Sequence, residues 1–366
     1  MDYTMPQLLK ALMEQNGSDL HITPDTPPRI RIDGHLMPLD LPPLSPTDSK
    51  QLCYSILTEE QKRDFENDHE LDVAFSVKNV ARFRANIYTQ KGCVAGAFRI
   101  VPFRIFSIEE LGLPPIIKKL CQLPRGLVLV TGPTGSGKST TLASMIDYIN
   151  SNRYDHIVTI EDPIEFVHPH KKCMINQREI GHDTMSFARA LKSALRQDPD
   201  VVMVGEMRDL ETIALAITTA ETGHLVFGTL HTNSCISSLN RIIDVFPPHQ
   251  QNQIRQQIAQ TVQGIISQLL HPVAAGGRAL SMEIMIPNIA IRNLIRENKF
   301  HQIYSSMQTG QDSSGMQTMN QSLFNLLERR KISAEYAISK SENPQELQAM
   351  IEKIALNTPG KKPFKS

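Results

Sequence analysis

Between Gly132 and Ser139 the chain reads Gly-Pro-Thr-Gly-Ser-Gly-Lys-Ser, the glycine, lysine and hydroxyl spacing of a phosphate-binding P-loop. The glycines let the backbone curl until successive N–H groups face one anionic point at the positive end of a helix. Lys138 adds a mobile charge for β- and γ-phosphates, and the Ser139 hydroxyl is suited to Mg²⁺. Gly132, Pro133, Thr134, Gly135, Ser136, Gly137, Lys138, Ser139 and Thr140 are therefore the expected contacts to a nucleoside triphosphate. Three later apolar runs end in polar clusters: Glu161 to Glu165 after Ile160, Gly205 to Asp209 after Val204, and Leu230 to Asn233 after Thr229. Carboxylates beside phosphate serve as metal ligands or general bases, and Mg²⁺ needs one or two of them. Glu206 is expected to hold the metal or its water shell, although Gly205 stands where many such sites carry an aspartate. Either Glu165 or Glu161 would polarise the attacking water. His231, at a strand end, is the candidate γ-phosphate sensor, whereas His224 reads as a core histidine.

These groups need elements to position them. From Arg125 onward buried strands alternate with helices, the signature of a mostly parallel sheet, whose ligands sit at the carboxyl ends of the strands. The expected strands are Leu127 to Thr131, His156 to Ile160, Val201 to Val204 and Leu225 to Thr229, with helices over Ser139–Asn150, Met185–Arg196 and Leu210–Thr222 between them. The first hundred residues read differently, as a small α+β unit. A Thr4-capped helix precedes a hairpin around Asp33-Gly34; two capped helices follow, and then three antiparallel strands from Glu70 to Val101. Beyond the parallel region, His249 to Leu270 carries Ile254, Ile258, Val262, Ile265 and Leu269 at helical period. Helices are also expected over Ala290–Glu297, Met316–Arg329 and Ala334–Glu352, before a basic tail from Pro359 to Ser366.

Composition bounds the function. Lys+Arg and Asp+Glu number 38 each in 366 residues, so no global field draws in nucleic acid or anionic lipid. The apolar runs are too short to span a membrane, and Asp2 follows Met1 without a signal-peptide core, which points to a soluble cytoplasmic protein. Cys53, Cys93, Cys121, Cys173 and Cys235 are scattered without a C-x-x-C pair and read as reduced, isolated thiols.

Longer motifs then carry a resemblance. TIEDPIEFVH (Thr159 to His168), VGEMRDLETI (Val204 to Ile213) and TGHLVFGTLHTNS (Thr222 to Ser234) are similar to the Asp box, Walker B and His box of the secretion and pilus ATPases. With GSDLHI (Gly17 to Ile22) and AIRNLIRE (Ala290 to Glu297), the chain resembles the type IV pilus retraction ATPases, the PilT family, from about Pro6 to Leu347. It departs from the family pattern over Cys235 to Asn240 and at Gln197.

The resemblance implies an α/β fold with a PAS-like N-terminal domain over 1–101 and a linker over 102–115. A RecA-like P-loop ATPase core over 116–289 and a C-terminal helical region over 290–366 complete it. It further implies a homohexamer that hydrolyses ATP with Mg²⁺ to drive pilin depolymerisation and twitching motility. Such a motor works at the cytoplasmic face of the inner membrane, with a membrane platform protein and a paralogous retraction ATPase as partners, without nucleic acid or membrane insertion. Arg82 and Arg84 share one strand face and become trans-acting arginines for the γ-phosphate, although two like charges on one face also suit a solvated edge. The expected catalytic set is then Glu161, Glu165, Glu206, His231, Arg82 and Arg84, with Ser139 and Glu206 at the metal. On the Ala290–Glu297 helix, Arg292, Arg296 and Glu297 lie off the apolar face and are the groups a partner could read. Two alternatives fit the same residues: a pilus-extension or type II secretion ATPase, and an ATP-binding regulator of the pilus machine that does not hydrolyse.

Overall fold

Thr4 begins the first helix by capping: its backbone N–H donates to Gln7 Oε1 at 2.7 Å, and helix α1 (Met5–Glu14) buries Met5, Leu8, Leu9 and Leu12. The computed structural model describes residues 3–32, 34–77, 81–101, 104–273, 276–309 and 314–357. Asp33 of the expected hairpin turn and the basic tail from Pro359 lie outside them. The chain divides into two units, Met1–Arg104 and Ile105–Ser366.

The first unit continues with β1 (Asp19–Ile22), β2 (Arg29–Ile32), β3 (His35–Pro38), α2 (Pro46–Tyr54), α3 (Glu59–Asp68), β4 (Glu70–Val77), β5 (Ala81–Gln90) and β6 (Cys93–Val101). Its sheet runs β3-β2-β1-β6-β5-β4 with every pair antiparallel. Alternation gives it two faces. Phe83, Ala85, Ile87, Phe98, Leu20 and Ile30 enter the core with the helices, while Arg82 and Arg84 occupy the opposite face. Strand β1, the GSDLHI segment, is short enough to carry no periodic signal, and pairing with β2 and β6 makes it a central strand.

The second unit opens with α4 (Ile116–Cys121) and then alternates: β7 (Gly126–Thr131), α5 (Lys138–Asn152), β8 (His156–Glu161), β9 (Met174–Glu179), α6 (Phe187–Ala194), β10 (Val201–Val204), α7 (Leu210–Glu221), β11 (Leu225–Leu230) and α8 (Cys235–Asp244). With β12 (Val262–Pro272) and β13 (Arg278–Met285) from further along the chain, the sheet order is β13-β12-β7-β11-β10-β8-β9, parallel except at β13. Both faces are covered, so the strands are continuous apolar runs. Leu127 and Leu129 face the helices from α6 onward, whereas Val128 and Val130 face α4 and α5.

The expected helix over His249–Leu270 is corrected. Helix α9 (Pro248–Thr261) stops halfway, and β12 (Val262–Pro272) follows directly, pairing with β7 on one side and β13 (Arg278–Met285) on the other. Val262, Ile265 and Ile266 suit a buried strand as well as a helix, and the sheet supplied the partner that decided it. Between Val262 and Gly264 the β12–β7 register shifts, leaving Gln263 as the extra residue of a bulge. After β13 come α10 (Ile289–Arg296), α11 (Ile303–Thr309), α12 (Met319–Glu328), α13 (Ala334–Lys340) and α14 (Pro344–Asn357). Pro344 breaks the expected Ala334–Glu352 helix in two, since proline cannot continue the preceding turn.

Candidate active site

The loop from Gly132 to Gly137 joins the buried end of β7 to the first turn of α5. Gly132, Gly135 and Gly137 have φ of 139°, 78° and 87°, left-handed conformations that glycine tolerates. A Cβ on Gly132 would lie 2.4 Å from the Gln268 carbonyl oxygen of β12, so space as well as φ demands glycine there. Lys138 turns its Nζ back onto the loop, donating to the carbonyls of Gly132 at 2.8 Å and Pro133 at 3.0 Å. Burial lowers its pKa, and the nearby carboxylates of Glu206 and Glu165 oppose that shift. Ser139 and Thr140 are half-buried in the first helical turn, beside N–H groups that have no partner within the helix.

The strand ends bring most of the expected acids into this neighbourhood. Glu206 follows β10; its Oε1 accepts from Arg208 Nε and lies 3.0 Å from His231 Nε2. His231 follows β11, so the ends of two adjacent strands meet through one carboxylate oxygen. The loop carrying His231 is tied down on both sides. Thr232 shares a 2.6 Å hydrogen bond with Ser238, which donates to Thr131 at 3.4 Å, and Ser267 donates to the Asn233 carbonyl at 2.7 Å. Gly205 also acquires a reason: a Cβ there would stand 3.0 Å from the Ile160 carbonyl oxygen and 3.3 Å from the Glu161 Cα, so any side chain would crowd the end of β8. His224 donates from Nδ1 to the Thr219 carbonyl, 3.0 Å away, and closes α7 rather than the site.

Glu161 and Glu165 differ sharply. Glu161 is buried, its Oε1 accepts from Thr159 Oγ1 at 2.6 Å and Gln177 Nε2 at 3.0 Å, and burial raises its pKa. Glu165 is exposed, near enough to Lys138 to stabilise its charge. Gln177 on β9 organises the loop between them, since it also donates to the Phe166 carbonyl and accepts from the His168 N–H, both at 2.8 Å. Glu179 anchors the same loop by accepting the Ile164 N–H at 3.0 Å. Neither residue stands out in the sequence, because β9 is a mixed polar strand, Met-Ile-Asn-Gln-Arg-Glu, without an apolar run.

Arg82 and Arg84 belong to the first unit. Both sit on the outer face of its sheet, and Arg84 lies directly opposite Arg99 of β6. Directly opposed residues share a face, so Arg99 joins the row, where its Nε donates to Asp19 Oδ1 at 2.7 Å. Asp19 is buried, and its pKa is lowered by hydrogen bonds from Ser18 and Arg99 and by the Arg99 charge, against the opposing cost of burial. Arg31 Nε lies 3.9 Å from its other oxygen.

On α10, Ile291 and Ile295 are buried and Leu294 packs partly against the same core, as the period predicts. Arg292, however, faces inward. Its guanidinium donates to the Gln260 carbonyl at 3.1 Å, to the Ala259 carbonyl, and to Gln263 Oε1 at 3.1 Å, capping the C-terminus of α9 where β12 begins. Its guanidinium thus has a role within the unit that Arg296 and Glu297 do not share. Arg296 bonds Asn293 within its own helix, and Glu297 pairs with Lys299 on the surface. Arg292→Ala is expected to destabilise the unit by about 2 kcal/mol, the loss of charge-assisted bonds to orphan carbonyls. Glu297→Lys should change stability by under ~0.5 kcal/mol, as surface substitutions do. Equal melting curves for Arg292→Ala and the unmodified protein would refute the capping role.

A family model described as Type II/IV secretion system protein matches residues 3–353. The type IV pilus retraction ATPase PilT of Pseudomonas aeruginosa is 51% identical over 345 residues, covering 94% of this chain and 99% of that protein. A twitching motility protein of Neisseria gonorrhoeae is 50% identical, with 87% of this chain and 86% of that one covered. Among solved structures, the pilus retraction motor PilT with bound ADP superposes with a TM-score of 0.91 at 52% identity, over 95% of this chain and 100% of that one. These matches run through both units and every motif described above. The chain belongs to the Type II/IV secretion system protein family and, within it, to the type IV pilus retraction ATPases.

Proposed function

We propose that this retraction ATPase is a homohexameric motor that binds ATP on the Gly132–Thr140 loop and uses its hydrolysis to move rigid units against one another. The observation that carries the reading is the meeting of Glu206 and His231, 3.0 Å apart, at the ends of two strands beside the Lys138 loop. Lys138 binds the β- and γ-phosphates, and the first-turn N–H groups of α5 complete the cradle. Ser139 and Glu206 form an oxygen-only donor set that fits Mg²⁺; both contacts described for Glu206 go to Oε1, leaving Oε2 for the metal or its water shell. When bound, the ion neutralises charge on the phosphates.

We assign polarisation of the attacking water to Glu165, because the Glu161 carboxylate is buried and committed to Thr159 and Gln177. Glu161 then serves by holding the loop that presents Glu165. His231 reads the γ-phosphate state and passes it to Glu206. Arg82 and Arg84, with Arg99 beside them, form an anion-binding row that reaches the phosphates held by another chain. Loss of the γ-phosphate removes those contacts, and that loss is what couples hydrolysis to motion. No helix among the described residues is long and apolar enough to cross a membrane. The motor would thus act at the cytoplasmic face of the inner membrane through a platform protein, beside a paralogous retraction ATPase.

The test is assembly-linked turnover. Hydrolysis per chain should rise with protein concentration as rings form, and replacing Arg82 and Arg84 together by Ala should suppress it while the Lys138 loop still binds ADP. Concentration-independent turnover with an active double variant would remove the trans-arginine assignment.

A further inference from the structure

We propose that Gln268 of β12 is the residue that sets the phosphate loop in its binding geometry, a positioning role that deepens the nucleotide-binding reading above and rests on it. Gln268 is fully buried, and its Nε2 donates to the Ser136 carbonyl oxygen at 2.7 Å. Two further loop residues lie against it: its own carbonyl oxygen stands 2.4 Å from where a Gly132 Cβ would be, and its Nε2 stands 3.3 Å from where a Gly137 Cβ would be. One residue of a neighbouring strand thus lies against the beginning of the loop through its backbone carbonyl, and against the crown and the end through its side-chain amide.

The consequence follows from peptide geometry. The Ser136–Gly137 amide is planar and trans, so its C=O and N–H point in opposite directions. Fixing the Ser136 oxygen on Gln268, on the sheet side, turns the Gly137 N–H the other way, toward the anion-binding side of the loop. Gly137 is the residue before α5 and adopts φ 87°, a conformation with little intrinsic preference of its own to hold that plane. Without a donor at position 268 the amide is released to rotate, and an oriented N–H is lost from the cradle. Among the described residues, the Gln268 Oε1 and the Ser136 Oγ are both buried and meet no hydrogen-bond partner. The amide is therefore retained at a cost in unsatisfied polar atoms, which core packing alone does not explain.

Gln268→Met keeps the volume and removes the donor. It should weaken ADP binding about tenfold and raise KM for ATP by a similar factor, with kcat changed less than about threefold, as expected for a lost bond to a charged ligand. Gln268→Glu gives a second readout that packing would not move. An ionised carboxylate cannot donate to the Ser136 carbonyl, whereas the protonated acid can, so its ADP affinity should recover toward wild type as the pH is lowered, relative to the parent protein. Wild-type ADP affinity in the Met variant, or a Glu variant whose relative affinity does not respond to pH, overturns the proposal. Lys138→Ala measured alongside separates the two claims. If that variant binds ADP normally, the loop itself is not the nucleotide site and the underlying reading fails; if it loses binding while Gln268→Met does not, the role of Gln268 alone fails.

Discussion

Lys138→Ala is expected to fold normally and to lose nucleotide binding by at least ~10²-fold, with hydrolysis below detection. Its Nζ is held on the Gly132 and Pro133 carbonyls, so the charge is already stationed at the loop before any ligand arrives. Burial works against that charge, and Glu206 and Glu165 sustain it. Removing the ammonium therefore does more than delete two phosphate contacts. It leaves two carboxylates facing an incoming polyanion with nothing between them, and like charges in a partly desolvated site repel strongly. ADP titration, phosphate release and a melting curve without nucleotide together check this. Turnover near the wild-type rate would show that the phosphates sit elsewhere.

Glu206→Gln should separate binding from chemistry. The substitution preserves shape and an acceptor oxygen for Arg208 and His231, but removes the negative charge that would hold the metal or its water. ADP affinity should remain within a few-fold of wild type, and ATP hydrolysis should slow by at least ~10²-fold, the scale of losing one preorganised catalytic group. Single-turnover measurements on the ATP-loaded protein distinguish slow chemistry from slow release. Should the variant hydrolyse at nearly the normal rate, the metal assignment moves from Glu206 to another strand-end carboxylate.

Chemistry was far more legible in the sequence than its support. The loop glycines, Lys138, Glu206 and His231 each belong to short motifs at the end of an apolar run, and the parallel-sheet rule places such ends together. What escaped were strands without a clean period. The β9 strand is mostly polar and joins the sheet at its edge, so nothing marked Gln177 and Glu179 as strand residues. In β12 the apolar positions matched a helix continued from α9, and that reading placed Gln268 on a helix instead of against the phosphate loop. Gly264 and the clustered branched residues around it were the available signal, since both disfavour a helix interior. The contacts of Arg292 escaped for a different reason. Its apolar neighbours fix the helix face, but a long guanidinium can reach back across that face to carbonyls no local pattern reveals.

The bulge at Gln263 has a counting consequence. Measured from Val262 opposite Leu127, an unbroken ladder would bring Ser267 level with Gly132; the one additional residue advances the strand so that Gly264 meets Val128 and Ser267 meets Thr131. Gln268 is thereby delivered to the phosphate loop. A strand has a two-residue repeat, so a shift of one exchanges its faces. The bulge thus works as a phase setting for the whole nucleotide edge of β12, and the residue that sets it is clasped by Arg292 through Gln263 Oε1 at 3.1 Å. Deleting Gln263 would leave the composition of the core almost untouched and still put the wrong side chain behind the phosphates.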